Sequence, residues 1–179
     1  MSRISALENH EVDTQTAATL TAVGKKLGMV PNMFATLAHA PAALNGYLGF
    51  NEAVAKGRLS AKQREIVALA VAQYNQCQYC LSAHSLMAKG AGLSAEDIAR
   101  ARQGSASDAL DHTIAAFARQ VVEARGVIAD DAFDAYRRKG LSQPLMVEVV
   151  ANVALNLFTN YINHLADTEI DFPLVEVAA

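Results

Sequence analysis

The sequence predicts an all-α fold of about seven or eight helices with no sheet. Residues that start helices (Ser, Asp, Pro) and glycines that end them recur at short intervals along the whole chain. No stretch alternates apolar and polar residues for long enough to demand a strand. Hydrophobic residues make up 52% of the chain but aromatic residues only 6%. Small aliphatic side chains would therefore build the core, as suits closely packed helices.

In the first half of the chain, each predicted helix has a recognisable start. The first runs from Thr14 to Leu27 and ends at Gly28, and the second has Pro31 in its first turn. The next starts are Pro41, for a helix that ends at Gly57, and Ser60, which forms a capping box with Gln63. A break near residues 75–76 then separates this helix from another, which runs from about Cys77 to Lys89.

The second half continues the pattern with a short helix after Ser94, then Asp108 to Arg125, Asp130 to Lys139, and a last helix from Ser142 to about Ala166. Along this last helix, polar residues recur every four positions: Glu148, Asn152, Asn156, Asn160 and His164. One interpretation is a solvated stripe on an amphipathic helix. The other is a hydrogen-bonded network at a junction, since Asn is a poor helix former and an unusual surface choice.

Length and charge restrict the class of protein. The 179 residues suit a single domain, 1–179, with a core motif at 60–90 and a C-terminal helix at about 142–166. A net charge of -3 without a basic run argues against nucleic acid as a partner. No apolar run reaches the roughly 18 uninterrupted residues of a membrane span. The N-terminus has no secretory signal pattern, so a cytoplasmic location is expected.

The segment from Glu65 to His84 carries the chemistry. It contains both cysteines of the chain, Cys77 and Cys80, as a C-x-x-C pair, and His84 follows Cys80 by four residues. On a helix, these three positions fall within about 60° of one another. In a reducing compartment, two cysteines at this spacing indicate redox activity or metal binding more than a structural crosslink.

A disulfide between Cys77 and Cys80 is geometrically possible, because residues three apart on a helix have Cα atoms about 5 Å apart. It would close a very small loop and add little stability, so the pair is better suited to opening and closing. The thiolate is the reactive form. Position near a helix N-terminus favours it at Cys77, and the nearby imidazole of His84 favours it at Cys80. The residues alone leave the nucleophile open.

Glu65 can join this group only if the chain bends. In one continuous helix, Glu65 would lie about 18 Å from Cys77 along the axis. A turn at residues 75–76 would fold the two helices back on each other and bring Glu65 level with His84. A carboxylate facing the imidazole would fix its tautomer and raise its basicity.

Together, Glu65, Cys77-x-x-Cys80 and His84 resemble the signature of the alkylhydroperoxidase D-like group in the carboxymuconolactone decarboxylase superfamily. Three further segments, L-G-M-V-P-N-M-F (27–34), G-R-L-S-A-K-Q-R-E (57–65) and T-N-Y-I-N-H-L-A-D-T-E-I-D-F-P (159–173), resemble its peroxidase-related subgroup. The resemblance implies an alkylhydroperoxidase D-like helical bundle that assembles into trimers or hexamers. It also implies thiol-dependent reduction of hydroperoxides, with an antioxidant role and no cofactor beyond the cysteine pair.

The same resemblance assigns the roles. Cys80 would attack the peroxide, Cys77 would resolve the sulfenic acid to a disulfide, and Glu65 and His84 would relay protons. A thiol or lipoyl-type protein would recharge the disulfide. Alkylhydroperoxidase D itself has a His between the cysteines where this chain has Tyr79. A phenol with a pKa of about 10 cannot replace that base near neutral pH.

Three alternatives remain open. Cys77, Cys80, His84 and Glu65 could bind a metal such as zinc, although three ligands on one helical face make a strained tetrahedron. The chain could perform acid–base chemistry without redox, as the decarboxylases of the superfamily do. It could also be an oligomeric scaffold or a redox sensor with negligible turnover.

Overall fold

A computed structural model describes residues 2–177, and every described element of secondary structure is an α-helix. The nine helices of this described part of the chain are α1 (Thr14–Leu27), α2 (Asn32–Leu37), α3 (Pro41–Ala55), α4 (Ala61–Tyr74), α5 (Gln78–Gly90), α6 (Ala95–Arg102), α7 (Ala109–Glu123), α8 (Asp130–Arg138) and α9 (Gln143–Ala166). The all-α prediction is confirmed, but seven or eight helices was too few. The six-residue α2 stands as a separate helix because Pro41 disfavours a helical conformation at Ala40, whose φ is -130°.

Local capping residues set the helix starts. Ser60 forms the predicted capping box, in which the Ser60 N–H donates to Gln63 Oε1 (3.0 Å) and the Gln63 N–H donates to Ser60 Oγ (3.2 Å). Two helices, α2 and α5, begin one residue later than expected. Pro31 and Cys77 are N-cap residues in extended conformation, where helical first-turn residues were predicted.

The centre of the molecule is α4, which packs against α5, α6, α7 and α9. Its residues 66–72 are all buried, so its apolar surface faces protein on every side. One core cluster includes the cysteine pair, Leu20, Leu44 and Leu69. The other joins Val67 and Val71 of α4 to α7 and α9. The cysteine pair thus belongs to the hydrophobic core.

The polar stripe of α9 is a buried network over most of its length. Asn152, Asn156 and Asn160 are buried, and the first two donate from Nδ2 to the carbonyls of Glu148 and Asn152, at 2.8 Å each. Glu148 accepts the backbone N–H of Leu59 at 3.1 Å. The solvated interpretation holds only for the last member, His164, which is exposed.

Within residues 2–177, α9 is long enough and apolar enough to cross a membrane by length and composition. It packs, however, against α2, α3, α4, α5 and α7, and its buried asparagines face these neighbours. These contacts are those of a core helix in a bundle.

Candidate active site

A sharp turn separates α4 from α5, as the sequence predicts. Gln76 adopts a positive φ of 57°, and the Cys77 N–H donates to the Ala72 carbonyl at 2.9 Å. Asn75, the C-cap of α4, donates from Nδ2 to Asn160 Oδ1 on α9 at 2.8 Å. The bend is therefore closed by its own backbone and tied to a third helix.

The bend brings Glu65 to His84. Oε2 of Glu65 lies 2.9 Å from Nδ1 of His84, and the two side chains are 12% and 21% exposed. This predicted meeting of α4 and α5 is confirmed. A carboxylate can only accept a hydrogen bond, so Nδ1 carries the proton and Nε2 of His84 remains the basic nitrogen of the neutral ring.

The two sulfurs are joined as a disulfide, with Cα atoms 5.3 Å apart. Both cysteines are buried, at 0% and 3% exposure for Cys77 and Cys80. Each sulfur has one N–H donor. The Cys80 backbone donates to Cys77 Sγ at 3.4 Å, and Asn163 Nδ2 donates to Cys80 Sγ at 3.3 Å. Cys77 therefore acts as the N-cap of α5, while Cys80 depends on a side chain from α9.

The sequence interpretation missed Asn163. It singled out the four-residue spacing that runs through Asn160, whereas Asn163 lies one turn later on the same buried face of α9. A search for every polar residue on the apolar side of that helix would have found it.

Tyr79, between the cysteines, is held by packing. Its hydroxyl oxygen accepts the Met33 N–H at 3.2 Å, and its ring meets Phe172 edge-on at 5.6 Å. Burial raises the pKa of the Tyr79 phenol well above its usual value. These contacts keep the phenol neutral and hydrogen-bonded to the backbone of α2.

A second tyrosine, Tyr47, lies near Glu65. Burial, together with the negative charge of Glu65, raises the pKa of Tyr47 to about 12. The Tyr47 ring contacts Phe34 edge-on at 5.7 Å and stacks on Phe158 at 6.1 Å. These three rings from α2, α3 and α9 form an aromatic wall near the carboxylate. No local sequence pattern indicates this wall, because its members are far apart in the chain.

On the other side, a cavity of about 290 Å³ adjoins the start of α5. Its lining includes Cys77, Tyr79 and Asn163, together with His164 and Thr168. Among the described residues, no group of three or more His, Cys, Asp or Glu is placed to hold a metal ion. The described residues therefore contain no donor set of the kind that the metal-binding alternative requires.

Residues 41–124 match the model of the carboxymuconolactone decarboxylase family. No functionally curated protein matches the chain. Among solved structures, a peroxidase-related protein from Ralstonia eutropha JMP134, described as an alkylhydroperoxidase AhpD core, is 23% identical with a TM-score of 0.85, covering 95% of this chain and 92% of its own.

Two other structures are similar. A peroxidase-related protein from Silicibacter sp. TM1040 is 21% identical with a TM-score of 0.80, and the match covers 93% of this chain and 91% of that one. The debrominase Bmp8, solved with 2,3,4-tribromopyrrole, is 19% identical with a TM-score of 0.78, covering 94% and 91%. At these identities, the likeness shows the fold. Residues 41–124 are thus similar to the carboxymuconolactone decarboxylase family, and the whole chain has the fold of the alkylhydroperoxidase D core.

Proposed function

We propose that this protein is a thiol-dependent hydroperoxide reductase with an antioxidant role. The observation that carries the proposal is the 2.9 Å hydrogen bond between Glu65 and His84, one helical turn from Cys80. A base oriented by a carboxylate beside a dithiol is the arrangement that activates a thiol nucleophile. The alkylhydroperoxidase D-like fold agrees with that chemistry.

In the reduced protein, Nε2 of His84 takes the proton of the Cys80 thiol. The thiolate attacks the terminal, hydrogen-bearing oxygen of the hydroperoxide, so that an S–O bond forms and the O–O bond breaks. The departing alkoxide takes the proton from the imidazolium and leaves as an alcohol. Cys77 then attacks the Cys80 sulfenic acid, the disulfide forms, and hydroxide leaves with the Cys77 proton as water. The two thiols supply the two electrons.

An external dithiol must return those two electrons for the cycle to continue. We propose a thiol or lipoyl-type protein as the donor and the cytoplasm as the location, since a reducing compartment keeps the pair available.

Stopped-flow oxidation of the reduced protein by hydrogen peroxide and by an organic hydroperoxide tests the proposal, with dimedone as the trap for sulfenic acid. Dimedone should label Cys80 in Cys77→Ser, in which no resolving thiol remains. Labelling only of Cys77 in Cys80→Ser would reverse the two roles. The absence of oxidation in both variants and in the parent would reject the function.

A non-redox acid–base enzyme is the second candidate, and the family match favours it. Here His84 would move protons on a carbon acid and the cysteines would be dispensable. Turnover of a carboxylated lactone that survives the Cys77→Ser, Cys80→Ser double substitution but not His84→Ala would select this candidate.

The debrominase neighbour suggests one further substrate for the same dithiol. Two thiols could replace a carbon–bromine bond by carbon–hydrogen, forming the disulfide and releasing bromide and a proton. A bromopyrrole belongs in the stopped-flow series for this reason, with bromide release as the readout.

A further inference from the structure

Among residues 2–177, Asn163 is the one side chain from outside the α4–α5 pair that an observed hydrogen bond joins to a sulfur. Nδ2 of Asn163 lies 3.3 Å from Cys80 Sγ, within the range for a donor to sulfur. A disulfide sulfur can only accept a hydrogen bond, so the amide must present its nitrogen to it. The residue is 4% exposed, which makes this a buried contact.

The carbonyl oxygen of the same side-chain amide is unpaired among the described residues. Oδ1 of Asn163 is buried and has no hydrogen-bond partner within residues 2–177. Buried polar atoms are rarely left unpaired, because each one costs roughly 1–3 kcal/mol. Beside the sulfur of Cys80, this unpaired acceptor is available to a donor that arrives during the reaction.

The surroundings hold the backbone of Asn163 in place, and the residue borders a cavity. The hydrogen bonds that hold the last turn of α9 include those from the Thr168 N–H to the Asn163 carbonyl and from the Ile4 N–H to the Ala166 carbonyl, at 3.2 Å each. Asn163 also lines the 290 Å³ cavity at the start of α5. One buried side chain therefore contacts Cys80 and borders the adjoining cavity.

We infer that Asn163 is a catalytic residue, whose amide nitrogen stabilises the Cys80 thiolate and whose carbonyl oxygen accepts the hydroxyl hydrogen of the incoming hydroperoxide. The second half of this inference rests on the proposed function. The hydroxyl hydrogen stays on the oxygen that is transferred to sulfur. Oδ1 therefore holds the same hydrogen before the O–O bond breaks and afterwards, in the sulfenic acid.

This role of Asn163 favours Cys80 over Cys77 as the nucleophile. The helix N-terminus already provides Cys77 Sγ with the Cys80 N–H. Asn163 provides Cys80 with an equivalent donor, and His84, one turn later on α5, is present to take its proton. A hydrogen bond to a charged acceptor is about twice as strong as one to a neutral acceptor, so the contact strengthens when Cys80 ionises.

The first test uses Cys77→Ser as the parent, because Cys80 is then the only thiol and serine retains an N-cap for α5. Asn163→Ala should lower the thiolate fraction of Cys80 near neutral pH by about tenfold, as read from thiolate absorbance during a pH titration. Asn163→Asp should lower it further, because a carboxylate cannot donate and repels the thiolate. Asn152→Ala, another buried α9 asparagine, should titrate as the parent does.

Unchanged titration in Asn163→Ala and Asn163→Asp, with the parent's circular dichroism, would overturn the first half of the inference. A measurement on the parent itself covers the case in which these variants do not fold. The side-chain amide resonance of Asn163 should shift in step with the thiolate absorbance. A resonance that is constant throughout the ionisation of Cys80 would equally overturn it.

The second half is tested at a pH where Cys80 is fully ionised in parent and variant. Oxidation by hydrogen peroxide should be about tenfold slower in Asn163→Ala, since the acceptor for the hydroxyl hydrogen is gone. Equal rates would overturn hydroperoxide binding by Asn163 and leave the proposed function standing. A parent that no hydroperoxide oxidises would reject the proposed function and this half together, while the titrations still decide the first half.

Discussion

His84 has a defined orientation because a carboxylate from a different helix accepts its Nδ1 proton. The two side chains are only 21% and 12% exposed, so water competes weakly for this hydrogen bond. The consequence is a single basic nitrogen, Nε2, on a residue one turn from Cys80. The site's acid–base chemistry therefore depends on one residue pair.

Replacing His84 should abolish most of the reactivity. His84→Ala should slow oxidation of the reduced protein by hydrogen peroxide about 100-fold near neutral pH, the usual contribution of a general base. The measurement is the stopped-flow rate of thiol loss. His112→Ala, which alters an exposed histidine, provides the control and should react at the parent rate. A rate within twofold of the parent in His84→Ala would contradict the proposed proton relay by Glu65 and His84.

We expect Tyr79 to contribute to stability and not to catalysis. Tyr79→Phe loses the hydrogen bond from the Met33 N–H and should reduce the free energy of unfolding by about 1 kcal/mol. Its peroxide reactivity should match that of the parent. Urea denaturation and stopped-flow oxidation of the same preparation check both statements. A loss of rate comparable to that in His84→Ala would give the phenol a catalytic role.

The two raised tyrosine pKa values predict alkaline destabilisation. In the folded protein, Tyr47 and Tyr79 bind their protons more tightly than an exposed tyrosine, whose pKa is about 10. The unfolded chain therefore loses these protons first, and stability falls as pH rises. The stabilisation is complete below about pH 10 and declines as pH rises through the folded pKa, about 12 for Tyr47. Urea denaturation as a function of pH should show a shallower decline in Tyr47→Phe and in Tyr79→Phe.

At the level of helices, the bend between α4 and α5 determines whether the site exists. Asn75 and Asn160 tie the bend to α9, and Asn160 is completely buried. Asn160 Nδ2 already lacks a partner among the described residues, so Asn75 provides the one observed bond of that amide. The turn thus depends on a polar contact inside the core.

Asn75→Ala should leave the buried Asn160 amide unpaired and lower the free energy of unfolding by about 1–3 kcal/mol. The altered turn should also loosen the contact between Glu65 and His84, so that oxidation slows while both thiols remain. Denaturation and the oxidation rate measure these effects, with Asn45→Ala at an exposed α3 position as the control. Parent stability in Asn75→Ala would show that the backbone bonds suffice.

The predictable features of these helices are the local ones. The capping box at Ser60 and the break after Tyr74 involve neighbours in the chain, so residue types alone indicate them. Asn163 and Tyr47 reach the site through contacts between α9, α5 and α3, which spacing along one helix does not reveal. For the same reason, the sequence could pair Glu65 with His84 only by assuming an angle for the bend.

For the whole molecule, α9 presents exposed apolar residues in a heptad pattern. Val147, Phe158, Tyr161 and Leu165 are 70%, 37%, 61% and 61% exposed. The neighbouring α3 exposes a stripe of small residues, Ala42, Gly46, Gly49 and Ala53. A Cβ at either glycine would meet nothing within 4 Å, although a glycine inside an exposed helix costs about 1 kcal/mol. We propose that a second copy of the chain covers this α3–α9 face, as in the homo-oligomer expected from the sequence.

Charges on that face should dissociate the assembly. Val147→Glu with Leu165→Glu should give a monomer by light scattering after size-exclusion chromatography, since each glutamate would be desolvated at the interface. Val127→Glu is the matched control, because Val127 is 82% exposed and precedes α8, so it belongs to neither α3 nor α9. An unchanged mass in the double variant would place the interface elsewhere, and a monomeric parent would reject the homo-oligomer.

A thiol count tests the central claim most directly. The fully reduced protein should show two thiols per chain with Ellman's reagent, matching its two cysteines. After one equivalent of an organic hydroperoxide it should show none, and one equivalent of the alcohol should appear. Two thiols still present after exposure to the hydroperoxide would contradict the account.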